Sequence, residues 1–207
     1  NRHDWHGAFA SEVGVALAVE QLIGMSVPER ATWLRTTMYE LNRMLSHLAF
    51  VIPVAYPDPH LASASPASQA RDGIQAVMEQ ATGGRLHFMA NQVGGLKADV
   101  DSAWATNVKQ AIDLVGQAVP HLQAVLFDRL GPQLTGLGVL STSTVADFGV
   151  SGVAAHAAGV DLDLRRSTPY LAYSELSSVL TPVLRSDGDA FARFECLFEH
   201  LTLSIAL

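Results

Sequence analysis

A repeat of apolar residues in the first quarter of the chain constrains its fold more than any other sequence feature. The apolar residues that recur at helical intervals are Trp33, Leu34, Met38, Leu41, Leu45 and Leu48. The segment Ser26-Val27-Pro28-Glu29 precedes them and has the Ser-x-x-Glu form of a capping box, with proline in the first turn. We therefore predict one long helix that begins at this box and runs to about Val51.

Helical periodicity also predicts most of the remaining secondary structure. Gly24 stops an earlier helix, and Pro120 is expected to kink or split a later one. The further helices are predicted at Ala8 to Ile23, Gln69 to Ala81, Asp99 to Phe127, Thr144 to Phe148, and from Asp187-Gly188-Asp189 onward. Apart from its one short helix, the glycine-rich stretch 131–160 is expected to be irregular.

Proline and β-branched residues indicate where the helices give way to loops and strands. Four prolines predict a loop over residues 53–66, because proline removes a donor and restricts its predecessor. Arg85 to Met89 alternates like a short strand before Gly94-Gly95, and Ser177 to Leu184 is a second strand candidate, ended by Pro182. The predicted fold class is therefore mainly α with a few short β-strands, in a single domain over residues 1–207.

Composition limits the functions that this chain can have. The 207 residues are 49% hydrophobic and only 16% charged, which favours one core and a partner interface on part of the surface. A net charge of −7 argues against a nucleic-acid partner, and no apolar run is long enough to span a bilayer. One cysteine, Cys196, excludes an internal disulfide and an all-cysteine metal site, so we expect no cofactor bound by this chain itself. The ends of the sequence predict a piece of a longer protein.

Four motifs occur in a fixed order along the chain. They are Arg2-His3-Asp4-Trp5; Arg35 with Glu40-Leu41-Asn42-Arg43 and His47; Gly84-Arg85-Leu86-His87 followed by Gly94-Gly95; and Gly159 to Arg166 followed by Pro169-Tyr170 and Tyr173. In this order they resemble the 49 kDa subunit of respiratory complex I, the D-type subunit of NADH:quinone oxidoreductase, which is related to [NiFe] hydrogenase large subunits. The resemblance implies their helical fold and a quinone pocket beside the terminal [4Fe–4S] cluster of a small iron–sulfur partner subunit.

The resemblance also implies roles for residues near the quinone. Asp4 and Trp5 would contact the quinone head group, although the family has tyrosine where this chain has Trp5. An indole N–H donates a hydrogen bond but cannot give up a proton at physiological pH, so Trp5 is either a quinone contact or an aromatic anchor for the first helix. Asp58 lies within one residue of an acidic position that the family uses to orient a histidine, and it is a candidate quinone-binding and catalytic residue.

A second group of candidates is implied on the side of the partner's cluster. His87 would take up a proton when the cluster gains an electron, and Arg85 would add positive charge that favours the reduced cluster. Arg35, Arg43 and His47 are further cofactor-side candidates; helical spacing places Glu40, Arg43 and His47 on one face. The alternatives are a half-buried histidine satisfied within a strand and a solvated polar stripe.

Two other functions remain open. A hydrogenase large subunit needs a Cys-x-x-Cys pair at Asp4 to Gly7, and this segment has no thiolate. A non-catalytic paralogue, serving as a structural or assembly subunit of a membrane-associated redox complex, would explain why His156, Leu197 and His200 replace charged residues of the family pattern. The pairs His3/His6 and Cys196/His200 each supply only two metal ligands, so no metal site is predicted. By the resemblance, the chain would lie peripherally on the cytoplasmic face of the membrane and bind no NADH itself.

Overall fold

The computed structural model describes Asp4 and residues 6–207. The chain forms two compact units, Asn1–Ala118 and Val119–Leu207; a single domain over 1–207 stays a prediction. In chain order the elements are α1 (Ala8–Ile23), α2 (Glu29–Ala55), α3 (Pro59–Ala64), α4 (Pro66–Thr82), β1 (Asn91–Gln92), β2 (Gly95–Leu96), α5 (Ser102–Leu134), α6 (Thr142–Phe148), α7 (Gly152–Ala157), α8 (Leu164–Ser167) and α9 (Ala190–Ala206). The predicted fold class, mainly α with a few short strands, is confirmed.

The first unit is organised around α2, which packs against both α1 and α4. The predicted apolar repeat is its inner face: Met38, Leu41 and Leu48 are almost completely buried, as is Ile74 on α4. Helix α5 passes close to Gly73 on α4: a Cβ at this glycine would lie 3.8 Å from the Cβ of Ala111, an ordinary van der Waals distance. The predicted long helix is therefore the centre of this unit. The capping box expected to begin it is not formed, because α2 begins at Glu29 with Pro28 as its N-cap and no side chain caps it.

The predicted loop over residues 53–66 is wrong, because its prolines occupy positions that a helix tolerates. Pro53 lies in the last turn of α2, where its ring faces solvent, and α2 continues to Ala55. Pro59 and Pro66 each stand at the start of a helix, where the missing N–H would have had no partner within the helix. The side chains of Asp58 and Ser65 cap these two helices by accepting hydrogen bonds from the N–H groups of His60 and Ser68.

The strand predicted at Arg85 to Met89 is also wrong. Residues 85–90 form no regular element, and the only paired strands in the described part of the chain are β1 and β2, with Asn91 opposite Leu96 and Gln92 opposite Gly95. At the end of this segment the carboxylate of Glu12 accepts hydrogen bonds from the N–H groups of Met89, Ala90 and Asn91. The N–H of Met89, the last residue of the predicted strand, is therefore bound by a side chain rather than by a neighbouring strand.

Helix α5 continues through Pro120 instead of splitting there, and it reaches Leu134 rather than Phe127. Pro120 is exposed, and because proline has no N–H, one backbone carbonyl a turn earlier lacks its usual partner in the helix.

In the second unit, α7 packs against α9. The predicted last helix is confirmed, with Asp189 as its N-terminal cap. The stretch expected to be irregular contains α7 as well as the predicted α6. The strand predicted at Ser177 to Leu184 is wrong: this segment forms turns, in which the N–H groups of Val179 and Leu180 both donate to the carbonyl of Leu176. These local hydrogen bonds use the backbone N–H groups that a strand would need to pair with a neighbouring strand.

Within the described residues, no helix combines the length and the hydropathy that a membrane crossing requires.

Candidate functional site

The backbone that leads into α1 is fastened to α2 by one side chain. Asn42 accepts a hydrogen bond from the N–H of Phe9 (3.2 Å) and donates one to the carbonyl of His6 (3.1 Å). Just before it, the carboxylate of Asp4 is exposed and accepts a hydrogen bond from the N–H of His6 at 2.9 Å. Trp5, which the sequence singled out as a quinone contact, lies outside the described residues.

A cavity of about 140 Å³, which we call the Arg85 pocket, opens beside this backbone. Its wall combines apolar side chains with hydrogen-bond donors: His6, Asn42, Leu45, Ala49, Arg71, Gln75, Arg85, Leu86 and Phe88. Arg85 is about half exposed and lies 2.5 Å from a carboxylate oxygen of Glu79. The pocket therefore brings together the loop that follows the first motif and the loop of the third motif, 79 positions apart in sequence.

A second cavity of about 150 Å³, the Arg43 pocket, is also lined by Asn42. Its lining residues are Gly7, Ala10, Tyr39, Asn42, Arg43, Ser46 and His47. Arg43 lies over the ring of Tyr39 at 5.4 Å and pairs with Glu40, one helical turn away, at 3.1 Å. Arg43 and His47, which helical spacing places on one face of α2, thus line one cavity.

His87 is half-buried, and its neighbours Leu86 and Phe88, rather than His87 itself, line the Arg85 pocket. Its Nδ1 atom is buried and has no hydrogen-bond partner among the described residues. The surrounding backbone is well fixed: Gln75 donates to the carbonyl of Arg85 at 2.9 Å, and the ring of Phe88 meets that of Phe9 edge to face at 6.2 Å. The third motif is therefore anchored on both sides of His87.

The side chain of Arg35 lies in the interior of the first unit. Its side chain is completely buried, forms a two-bond ion pair with Glu20, and donates to the carbonyls of Gln92 and Gly95. The hydrogen bond from Arg35 is the largest influence on Glu20 and lowers the pKa of that carboxyl, although burial opposes the change. Asp58 is exposed and caps α3, and it lines neither the Arg85 pocket nor the Arg43 pocket.

The fourth motif, in the second unit, is held together locally. Arg165 is buried, pairs with Asp163 at 2.7 Å and lies over the ring of Tyr173. Nearby positions that depart from the family pattern also meet: Nδ1 of His156 lies 3.0 Å from Nε2 of His200, and Nε2 of His156 lies 3.0 Å from the carbonyl of Leu162. Because a carbonyl only accepts, Nε2 of His156 is the donor to Leu162.

Among the described residues, no three His, Cys, Asp or Glu side chains are placed to hold a metal ion. Cys196, one helical turn before His200, is buried, and burial raises the pKa of its thiol to about 11. A neutral buried thiol is a poor metal ligand, so these residues do not fit an iron–sulfur cluster of the chain's own.

Three residues that shape this region were absent from the sequence-based set of site residues: Glu12, Arg71 and Gln75. Glu12 had a usable signal. It and Glu20 are the only ionisable residues of α1 and lie eight positions apart, which puts both on one face of an otherwise apolar helix. Arg71 and Gln75 carry no comparable signal, because a polar residue on a helix is usually solvated.

These observations define a class of protein: a helical scaffold, without a metal-ligand set in its described residues, whose first unit presents two pockets with basic side chains. Residues 61–207 match the family described as respiratory-chain NADH dehydrogenase, 49 kDa subunit. The chain belongs to this family, which confirms the resemblance carried by the four motifs.

Individual relatives agree with this assignment. The chain is 47% identical to a D-type NADH-quinone oxidoreductase subunit of Streptomyces griseus, over all of this chain and 53% of that protein. It is 46% identical to a D-type subunit of the same enzyme from Streptomyces coelicolor, over all of this chain and 55% of that protein. A more distant relative, the D-type subunit from Sulfurimonas denitrificans, is 32% identical over 97% of this chain and 49% of its own length. The chain thus spans about half the length of these curated relatives.

Proposed function

We propose that this chain acts in an NADH:quinone oxidoreductase as the subunit that forms the wall of a quinone pocket, next to the terminal [4Fe–4S] cluster of a small iron–sulfur subunit. The observation that carries the proposal is the Arg85 pocket, which joins His6 from the loop after the first motif to Arg85 from the third. In the proposed complex the chain lies peripherally on the cytoplasmic side, and its partners are the other subunits.

The lining of the Arg85 pocket suits a quinone head group. A quinone presents an apolar ring with two carbonyl acceptors. Leu45, Leu86 and Phe88 supply apolar contact, while the side chains of Asn42 and Gln75 carry amide donors. Asp4 and Trp5 precede this wall in sequence, and we keep them, with Asp58, as candidate quinone contacts.

The positive charges around the Arg85 pocket suit a neighbouring subunit whose iron–sulfur cluster receives electrons. Arg71 and Arg85 both line it, and positive charge stabilises a reduced cluster over an oxidised one. The cluster's ligands must come from the partner, because the only thiol of this chain is buried. In this arrangement Arg85 and His87 act on the redox step, and Arg43 and His47 on the adjoining pocket.

His87 is the proposed proton acceptor, and its environment allows that role. Its Nδ1 has no hydrogen-bond partner among the described residues, so an incoming proton on that atom displaces no existing donor. The charged groups near it along the chain are Arg85, with its partner Glu79, and the Glu12 carboxylate bound to the N–H of Met89. A proton taken up with each electron makes the cluster potential fall with rising pH.

The test measures the potential of the partner's cluster by EPR-monitored redox titration between pH 6 and 8, in the assembled complex. With His87→Ala we expect the pH dependence, at most about 59 mV per pH unit for one electron, to flatten. His60→Ala is the matched control, since His60 is exposed on α3 and lines neither pocket. An unchanged slope in His87→Ala would refute the role of His87.

A non-catalytic paralogue is the second candidate. The His156–His200 pair favours it, because an imidazole pair stands where the family pattern has arginine and glutamate. Trp5, in place of a tyrosine, points the same way. The substitution Trp5→Tyr separates the two functions: faster quinone reduction by the assembled complex supports the quinone site, and no gain supports the paralogue.

A further inference from the structure

Helix α1 is built with its acidic side chains inward. Its two glutamates are buried, Glu12 at 7% and Glu20 at 3% exposure, whereas Val15 and Leu22 on the outer surface are exposed at 68% and 84%. A buried carboxylate destabilises a fold unless hydrogen bonds replace its water. The hydrogen-bond partners of Glu12 and Glu20 therefore show which parts of the chain the inner face of α1 binds.

Glu12 binds the backbone that follows His87. Its carboxylate accepts hydrogen bonds from three successive N–H groups, those of Met89 (2.5 Å), Ala90 (3.0 Å) and Asn91 (3.3 Å), and one from the side-chain amide of Asn91 (3.3 Å). Three converging N–H groups form an anion-binding concavity, and here the anion is part of the same chain. Met89 adopts a left-handed conformation, with φ of 48°, to present its N–H in this way.

Glu20 binds the other end of the same segment. It accepts a hydrogen bond from the N–H of Gly94 at 2.8 Å, and it holds Arg35, which donates to the carbonyls of Gln92 and Gly95. The backbone over residues 89–95 is thus fastened to α1 at two points, two helical turns apart. Only the Glu12 attachment is close to His87 in sequence.

The start of α1 is held by Asn42, at the backbone of His6 and Phe9 that follows the first motif. The third motif is held by Glu12, one turn further along the same helix. A helix is stiff over so short a distance, so it fixes the separation of the two loops that line the Arg85 pocket.

We propose that Glu12 is a positioning residue: its carboxylate fixes the backbone of residues 89–91 and thereby sets the position of the His87 imidazole toward the redox partner. This inference rests on the proposed function, since it needs His87 to face the cluster of the iron–sulfur subunit. Phe88 remains packed on Phe9 when Glu12 is changed, so we expect local loosening of the segment rather than loss of the fold.

The experiment compares Glu12→Gln with Glu29→Gln, an identical substitution at an exposed site in the first turn of α2. Two properties are measured in the assembled complex: hydrogen exchange of the amides in residues 87–91, and the slope of the cluster potential against pH. We expect Glu12→Gln to raise exchange in this segment at least tenfold, to leave α4 unchanged, and to reduce the slope by half or more. Glu29→Gln should alter neither property.

Each outcome decides the matter. Unchanged exchange in Glu12→Gln shows that Glu12 does not hold the segment. Faster exchange with an unchanged slope shows that it does not act through His87. Either result overturns the inference.

The two variants together separate this inference from the proposed function. If His87→Ala flattens the slope of the cluster potential against pH and Glu12→Gln does not, only this inference fails. If neither variant flattens the slope, the proposed role of His87 fails as well. Should Glu12→Gln not assemble, Glu12→Asp, which keeps the charge but shortens its reach, is expected to give intermediate changes in both properties.

Discussion

The guanidinium of Arg35 forms a bidentate ion pair with the carboxylate of Glu20, with Nη2 2.8 Å from Oε1 and Nη1 3.0 Å from Oε2, and both side chains are buried. The same guanidinium donates to the carbonyls of Gln92 and Gly95. One ion pair therefore joins α1, α2 and the β1–β2 hairpin. Loss of either partner leaves the other as an uncompensated charge in the interior.

We expect Glu20→Gln to destabilise the first unit by about 3–5 kcal/mol, because the buried guanidinium of Arg35 loses its counter-charge. The matched control is Asp99→Asn, which breaks the pair between Arg30 and Asp99, exposed at 63% on both sides. The control should cost far less, since water screens an exposed pair. Urea denaturation followed by circular dichroism measures both values, and equal costs would contradict the structural role of the buried pair.

The same ion pair predicts how stability depends on pH. The hydrogen bond from Arg35 is the largest influence on Glu20, and the pKa of Glu20 lies below its ordinary value of 4.5. A carboxyl whose pKa is lower in the folded state contributes stability that is present above the unfolded pKa and lost as pH falls through the folded pKa. We therefore expect the stability of the wild type to decrease below about pH 4.5 more steeply than that of Glu20→Gln. Denaturation midpoints at pH 7, 5, 4 and 3 test this, and parallel curves would contradict it.

The ion pair also shows how far sequence reasoning reaches. The apolar repeat predicted α2 and its buried face, since periodicity reports on burial. The ordered motifs led correctly to the family. The position of Arg35 within its motif led to a cofactor-side expectation, whereas the structure uses the guanidinium inside the chain. An arginine in a buried ion pair and an arginine that binds a cofactor look the same in a sequence. Only the packing of α1 shows that Arg35 is the first kind.

Strand prediction failed at both places for a related reason. Alternating side chains predict a strand only if the backbone groups are free to form a ladder. At Met89, the last residue of the first predicted strand, a side chain accepts the backbone N–H, and near Leu180 local turns use the N–H groups. Helix starts carry local signals, because Asp58, Ser65 and Asp189 cap helices by interactions that span only two or three residues. Only the start at Asp189 was predicted; those at Asp58 and Ser65 lie in the segment expected to be a loop, and α2 begins at Glu29 without the side-chain cap expected from Ser26. Long-range side-chain contacts to the backbone leave no local pattern.

Two adjacent glycines give a sharp test of the His87 loop. A Cβ on Gly84 would lie 2.3 Å from the carbonyl oxygen of His87, whereas a Cβ on Gly83 would meet nothing within 4 Å. Gly83 has φ of +76°, so Gly83→Ala should cost about 1–2 kcal/mol of conformational strain and leave the loop in place. Gly84→Ala must displace the backbone at His87. We expect only Gly84→Ala to change hydrogen exchange over residues 85–88; similar exchange in the two variants would contradict the close approach.

Asp189 gives a test in the second unit. Its carboxylate caps α9 by accepting from the N–H of Ala192 at 2.8 Å, and it also accepts from the N–H of Gly136 at 2.7 Å. Burial is the largest influence and by itself would raise the pKa of Asp189, but these hydrogen bonds and Arg193 outweigh it, and the pKa is lowered. We expect Asp189→Ala to destabilise this unit by about 1–2 kcal/mol and Asp189→Asn by less, because the amide oxygen still accepts. Thermal denaturation of both variants measures the difference, and an equal loss would show that capping contributes little.

The single thiol supplies the last prediction. Burial is the largest influence on Cys196 and raises its pKa to about 11; Arg185 opposes this, and Glu199 and Glu195 add to it. At pH 8 only about 0.1% of such a thiol is thiolate, the reactive form. We therefore expect a disulfide reagent such as DTNB to leave the folded chain almost unmodified over minutes and to titrate one thiol per chain in concentrated urea. Cys196→Ser should give no signal in either condition. Rapid modification of the folded wild type would show that Cys196 is accessible, contrary to its position in α9.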